Sequence, residues 1–322
     1  MTRSWISAAA LGAALLGGCG TGWAQTTLKV MSFNIYGGGA NEGKSIDETV
    51  AAIKAANPDV ISISETRAES DPCTAESCPP AGPSIAADLA AALGFQFHDQ
   101  TGDDPAIWAN AVLSRYPIVS PTADELGVTI DVEGRRITVF SVNLDDAPYQ
   151  PYQLLDIEYG SAPFLKTAAE AISSAEATRG KAFDDLVKDA EAAMQAGSEA
   201  VFIDGDFNEP SHRDWTEATV KAGLQPLAVA WPGTTKLEAA GFTDTFRAVH
   251  PDPVATPGMT WTPTSEPTDP EDHHDRIDFV FAKAKDLKVL DSKVVGEKEP
   301  EAAIVVTPWP SDHRAVISTV TF

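Results

Sequence analysis

The chain reads as an α/β protein of mixed β-sheets with helices packed outside them, and three observations predict this. Strand-like and helix-like segments alternate at first and give way mostly to strands later, an order that suits mixed sheets covered by helices. With 43% apolar and 22% charged residues the 322-residue chain has the composition of an ordinary globular protein, which excludes disordered, collagen-like and coiled-coil readings. No Gly/Ser-rich or single-charge linker divides it, so residues 25–322 are expected to form one domain.

Thr27 to Ile35 alternates and runs into Tyr36-Gly37-Gly38-Gly39, a buried strand ending in a glycine turn. Ser45 with Glu48 suggests a capping box for a helix whose apolar positions Val50, Ile53 and Ala56 end before Asn57-Pro58. Val60–Glu65 is a strand with its acid at the C-terminal end. A helix from about Ile85 to Leu93 follows, then a strand from Phe95 and strand-like runs at Ala111–Leu113, Val128–Val132 and Arg136–Leu144. The Ala, Glu, Lys and Asp-rich stretch from Phe164 to Ala196 is expected to be helix, starting just after Pro163 and broken near Arg179-Gly180. Ala200–Ile203 is a short strand opening into Asp204-Gly205-Asp206-Phe207-Asn208, where Gly205 is expected to turn the chain sharply. Six prolines between Pro251 and Pro270 mark a stiff irregular loop, after which strands resume at Ile277–Phe281, Ala303–Val306 and Ala315–Phe322.

Residues 1–24 read as an export signal. Arg3 precedes an apolar run from Trp5 to Leu16 that is too short to span a bilayer as a mature helix. Gly22-Trp23-Ala24 suits an ordinary signal peptidase, whereas Leu16-Gly17-Gly18-Cys19 resembles a lipobox whose cysteine is acylated. Either cut leaves Cys73 and Cys78, which are expected to form a small disulfide loop outside the cytoplasm, as periplasmic, secreted or outer-surface protein. A zinc site at this pair would lack further thiols. The net charge is −24, which repels polyanions, so any phosphate chemistry here calls for a cation.

Carboxylates and carboxamides concentrate at the expected strand ends: Asn34, Glu65, Asn143 with Asp145, Asp206 with Asn208, and Asp278. A single Asp or Asn after a strand is normally a turn former; the set together is harder to dismiss. Oxygen ligands on rigid strand ends suit Mg²⁺ or Mn²⁺, with Ca²⁺ the third choice, and six histidines with few thiols leave zinc without a donor set. Pro310-Ser311-Asp312-His313 adds an acid and an imidazole just before the last strand. Asp312 could hold the metal and His313 take a proton from water, with Asp278 fixing its tautomer.

The ordered series Ser32-Phe33-Asn34-Ile35, Ser64-Glu65, Ala111-Val112-Leu113-Ser114-Arg115, Gly205-Asp206-Phe207-Asn208, Arg276-Ile277-Asp278-Phe279 and Ser311-Asp312-His313 resembles the endonuclease/exonuclease/phosphatase family over essentially the whole mature chain. The resemblance implies a four-layer α/β sandwich, two mixed sheets face to face with helices outside, and a metal-dependent phosphoesterase site at one edge. It implies that Glu65 is the principal metal ligand, with Asn34 and Asp312 completing or orienting its shell. Asp206 would orient the attacking water or help protonate the leaving group, and Asn208 would hydrogen-bond a phosphate oxygen. His313 with Asp278 would be the base, or the imidazolium that stabilises phosphorane charge, in an in-line attack by water. One departure stands out: many members carry His-Leu where this chain has Asn143-Leu144, and Asn can donate a hydrogen bond but not a proton.

Asp145–Gln153 reads as too polar and too proline-punctuated for a regular element, and is expected to be a loop facing the substrate. In Asp272-His273-His274-Asp275 a solvated polar run is favoured over a second metal or phosphate contact through His274. Trp309 could wall the pocket or simply pack. A nuclease would surround the cleft with Lys and Arg, yet between Lys54 and Arg135 the basic residues are Arg67 and Arg115 alone. A sphingomyelinase would need an exposed apolar hairpin, and no unexplained apolar run exists. The expected function is hydrolysis of a small soluble phosphate ester, a phosphodiester before a monoester. Nucleic acid is disfavoured by charge, a secreted DNase-like nuclease and a non-catalytic surface-binding lipoprotein being the rivals. The chain is expected to be monomeric, with membrane contact only through a lipid on Cys19.

Overall fold

In the computed structural model the described residues are Met1, 25–70, 73–75, 77–100, 109–123 and 125–322. The export-signal reading and Cys19 lie outside them. The first half runs β1 (Thr27–Asn34), a 3-10 segment (Tyr36–Glu42), α1 (Ile46–Ala56), β2 (Val60–Ser64), β3 (Ala68–Glu69), β4 (Pro80–Ala81) and α2 (Ala86–Leu93). Then come β5 (Gln96–Asp99), β6 (Ala111–Ser114), β7 (Ile118–Pro121), β8 (Gly127–Val132) and β9 (Arg135–Asn143). Next are α3 (Gln150–Leu155), α4 (Ala168–Gln195), β10 (Ala200–Asp206), α5 (Glu217–Lys221), α6 (Pro232–Ala239), β11 (Thr243–Asp244) and α7 (Thr245–Val249). The chain closes with β12 (Asp278–Ala284), β13 (Lys288–Gly296), β14 (Ile304–Val305) and β15 (Ala315–Thr321).

Two mixed sheets form, in the orders β14-β13-β15-β1-β2-β6-β5 and β11-β12-β10-β9-β8-β7. Their facing sides share one apolar layer: Leu28, Val30, Val60 and Val316 of the first sheet meet Val139, Phe202 and Val280 of the second. Alternation explains this, because successive side chains of a strand point to opposite faces. The other face of the first sheet, with Phe33, Ile61 and Ile63, packs on Val50 and Ile53 of α1 and Leu89 of α2. The other face of the second sheet, with Phe140, Val201 and Ile203, packs on Phe183 and Leu186 of α4 and Leu237 of α6. The result is the four-layer sandwich, helices outside two mixed sheets.

Register puts the polar strand ends on one edge. β1 and β2 are parallel with Asn34 opposite Ser64; β9 and β10 are parallel with Asn143 opposite Asp206; β12 is antiparallel to β10 with Asp278 opposite Asp206. β15 runs antiparallel to β1, so the segment entering it, Asp312-His313, reaches the same edge. The sheets are tied there by reciprocal hydroxyls: Ser64 Oγ donates to Val142 O at 3.0 Å and Ser141 Oγ to Ile63 O at 3.1 Å.

Several sequence expectations change. Gly205 does not turn the chain but lies inside β10, at φ 141°, where a Cβ would stand 1.9 Å from Val142 O; its role is close approach of β10 to β9, and the turn falls at Asn208, φ 47°. α4 is unbroken at Arg179-Gly180, since a lone glycine costs only about 1 kcal/mol and Arg179 is locked by Glu209 and Gln150. It starts at Ala168, where Thr167 and Glu170 form a reciprocal cap, rather than just after Pro163. Ser45 caps the N–H of Asp47 and does not form the reciprocal pair with Glu48. The segment 145–153 contains the start of α3, its Pro151 sitting in the first turn where no N–H is needed. The expected Cys73–Cys78 disulfide is present.

Candidate active site

A pocket of about 700 Å³ opens at this edge. Its floor holds Glu65, Asn143, Asp206, Asn208, Asp312 and His313. Asn34, Asp206, Asp278 and His313 are buried, whereas Glu65, Asn143, Asn208 and Asp312 are partly open. All eight sequence-derived candidates are thus brought to one place, four from each sheet edge: Asn34, Glu65, Asp312 and His313 from the first, Asn143, Asp206, Asn208 and Asp278 from the second.

Glu65 leaves β2 with a left-handed backbone, φ 57°, a conformation that costs a non-glycine residue about 1–2 kcal/mol, and Gly37 N–H holds its carbonyl at 2.9 Å. Its Oε1 accepts from Asn34 Nδ2 at 2.8 Å and from Asn143 Nδ2 at 3.4 Å. Asn34 Nδ2 also donates to Asp206 Oδ2 at 3.1 Å, while its Oδ1 accepts the N–H of Tyr36 at 3.1 Å. Asn34 therefore spends its amide on two carboxylates and accepts one backbone N–H at its carbonyl. Asn208 Nδ2 donates to Leu144 O at 2.9 Å and Asn143 Oδ1 at 3.3 Å.

His313 Nδ1 lies 2.9 Å from Asp278 Oδ2, and its Nε2 lies 3.5 Å from Asp206 Oδ2. Burial works against charge on the ring, but the carboxylates of Asp278 and Asp206 outweigh it and hold the imidazole well above its ordinary range. Burial pushes Glu65, Asp206 and Asp312 up to about 7 each; His313 opposes this and neighbouring carboxylates add to it. Asp206, Asp278 and His313 are close enough together to hold an ion. An imidazole with a carboxylate at each nitrogen is, however, already satisfied as an ion pair, which leaves Glu65 and Asp312 as the oxygens facing open space.

Some contributors carried no clear sequence signal. Ser311 Oγ donates to Asn34 O at 2.7 Å and accepts the N–H of His313 at 3.1 Å, which joins the two ends of the first sheet's contribution. Thr260 Oγ1 accepts from the N–H groups of Ile277 and Asp278. Trp261 packs its ring 5.0 Å from that of His313 and walls the pocket. Both come from the proline-rich loop, where the tryptophan among prolines was the available hint. Trp309 takes the packing role instead, buried against Phe33 with Nε1 donating to His313 O. His274 is not at the pocket; its Nε2 lies 2.9 Å from Ser265 Oγ. Asp275 is buried, pushed up to about 8 by that burial, and accepts from Tyr149 OH and Trp215 Nε1.

A sandwich of two mixed sheets carrying carboxylates, carboxamides and an acid-paired imidazole at one edge is the fold of metal-dependent phosphoesterases and nucleases. The profile of the Endonuclease/Exonuclease/phosphatase family matches residues 31–313. The chain belongs to that family. An uncharacterized protein of Caenorhabditis elegans, F14F9.5, is 29% identical over 313 residues, 92% of this chain and 91% of its own. Among solved structures, an endonuclease/exonuclease/phosphatase from Beutenbergia cavernae is similar at TM-score 0.50 and 20% identity, over 91% of this chain and 71% of its own. Truncated Caenorhabditis elegans TDP2 is similar at TM-score 0.51 and 15% identity, over 92% and 97%. The 3' phosphatase NExo from Neisseria, solved with a product DNA hairpin, is similar at TM-score 0.50 and 16% identity, over 90% and 98%. At these identities the structural likeness speaks for the fold.

Proposed function

We propose that this chain is an exported, divalent-metal-dependent hydrolase of small phosphodiesters. The observation that carries the reading is the convergence of Glu65, Asp312, Asp206 and the His313–Asp278 pair on one open pocket. The residues fit a hard cation: the donors facing the space are oxygens, and burial, with Glu65 nearby, raises Asp312 although His313 opposes it. Mg²⁺ or Mn²⁺, when bound, supplies Lewis-acid stabilisation of phosphoryl charge and makes water a better nucleophile.

Glu65 and Asp312 would hold the ion, with Asn34 and Asn143 aiming the Glu65 carboxylate. Asp206, which burial raises to about 7, would take the proton of an attacking water at a carboxylate oxygen. His313, kept charged by Asp278, would offer Nε2–H to a phosphoryl oxygen and later a proton to the leaving alcohol. Asn143 would donate its second amide hydrogen to a phosphoryl oxygen, with Asn208, whose two amide hydrogens go to Leu144 O and Asn143 Oδ1, holding it in place, and no second imidazole is required at position 143. The Cys73–Cys78 bridge on the pocket rim supports action outside the cytoplasm. The substrate is free in solution, the enzyme monomeric, and any membrane tie would run through Cys19.

Chromogenic phosphomonoesters and phosphodiesters, and plasmid DNA, assayed with Mg²⁺, Mn²⁺, Ca²⁺ or chelator, test this. Metal-dependent release from a small diester is expected; no release from any ester would end the reading.

A further inference from the structure

The outer wall of the pocket has a composition at odds with a cleft for polyphosphates or nucleic acid. Five aromatic residues line it: Tyr36, Tyr149, Tyr152, Tyr159 and Trp261. Glu69, Asp145 and Asp146 join the carboxylates of the floor, and among the described residues no Lys or Arg lines it. Residues 71–72, 76 and 101–108 contain no Lys or Arg either. The rings are arranged as walls. Tyr152 stands at 84° to Tyr149 with centroids 4.9 Å apart, and at 87° to Tyr159 with centroids 6.0 Å apart. Each hydroxyl is tied to an acid: Tyr159 to Asp146, Tyr152 to Asp272, Tyr149 to Asp275 and Tyr36 to Glu69. Burial and these acids raise the four phenols, so the rings stay neutral while the carboxylates stay close behind them.

Neutral π-faces backed by carboxylates attract organic cations. A second phosphate on this wall would meet Glu69, Asp145 and Asp146 and, among the described residues, no Lys or Arg. We infer that the Tyr152–Tyr159–Asp146 wall is a recognition subsite for an organic ammonium group, so that the preferred substrate is a zwitterionic phosphodiester with an ammonium on one of its two alcohols. This rests on the phosphodiesterase reading above. Water adds its oxygen to phosphorus, the P–O bond to the other alcohol breaks, that alcohol leaves with a proton, and the ammonium-bearing phosphomonoester is released.

The test compares p-nitrophenyl phosphorylcholine with ethyl p-nitrophenyl phosphate, at equal Mg²⁺ or Mn²⁺. The expected kcat/KM ratio favours the ammonium diester by about tenfold or more, with most of the difference in KM, and tetramethylammonium competes with it. Tyr159→Leu and Asp146→Asn should each bring the ratio toward one, while Tyr159→Phe, which keeps the ring, should retain most of it and so separate recognition from folding. A further arm presents the same headgroup in phosphatidylcholine vesicles. Release from the soluble diester alone assigns the subsite to free substrates, and release from vesicles as well extends it to lipid headgroups. Equal turnover of both soluble diesters without competition would overturn the subsite while leaving the phosphodiesterase reading intact. If neither diester is hydrolysed, that reading fails, and calorimetric titration with choline phosphate decides the subsite: binding that Tyr159→Leu abolishes supports it, and no binding overturns it.

Discussion

Two groups of enclosed carboxylates lie at opposite ends of one short segment, Arg276-Ile277-Asp278, and their charges are balanced differently. In the first, Asp214 accepts from Arg247 Nε at 2.5 Å and Arg276 Nε at 2.9 Å, and Asp244 accepts from Arg276 Nη2 at 2.7 Å. Burial would raise Asp244, yet the Arg276 guanidinium beside it holds it below the usual carboxylate range. In the second, Glu65, Asp206 and Asp312 have carboxamides and one imidazole for company, and burial leaves each raised to about 7. The first group closes on itself, two guanidinium ions with two carboxylates. The second is short of positive charge, which no stability argument explains and which suits a cation arriving from solution.

The comparison predicts opposite responses to mutation. The largest effect is on turnover: His313→Ala should lower kcat by about 10³-fold or more with metal affinity nearly unchanged, and Asp278→Asn should add little on top of it. Additive losses in the double variant would show that the two act independently. Next, Arg276→Met should strand Asp244, leave Asp214 with Arg247 alone, and cost about 3–5 kcal/mol in urea unfolding; a loss near zero would mean that the closed cluster is not what holds this corner.

Glu65→Gln should do the reverse at the open cluster. It should greatly weaken metal binding in calorimetry while stabilising the metal-free chain by about 1 kcal/mol at most, since a repelled carboxylate is removed; unchanged affinity would take Glu65 out of the ion's shell. The smallest effect is the pH profile. Folded pKa values near 7 for these acids, and about 8 for Asp275, exceed their unfolded values, so the fold binds more protons than the unfolded chain between about pH 4 and 8. His313, raised as well, acts in the same direction. The melting temperature of the metal-free chain should therefore fall as pH rises through this window, and Mg²⁺ should flatten the fall. A melting temperature that climbs with pH would show that the acids are not disfavoured in the fold.

Much of the site was legible because its residues end apolar strands: Asn34, Glu65, Asn143 and Asp206 each follow a run of buried side chains. What was illegible depends on tertiary packing. β13 was missed because Lys288, Asp291 and Lys293 interrupt its apolar positions toward the outer side of the first sheet. Gly205 looked like a turn because a glycine needed for close strand approach and one needed for a bend look the same in a sequence. Thr260 and Trp261 reach the site only because their loop folds back over Asp275 and His313.

The bonds around Glu65 have a mechanical side. Glu65 belongs to one sheet and Asn143 to the other, and Asn34 of the first sheet reaches Asp206 of the second. Together with the Ser64 and Ser141 hydroxyls they form a clasp across the two layers. A shear of one sheet past the other by the length of a hydrogen bond would open that clasp while every ladder within each sheet stayed whole. Heat or pressure that loosens the interlayer contacts should therefore disrupt the geometry of this edge before the strands themselves come apart.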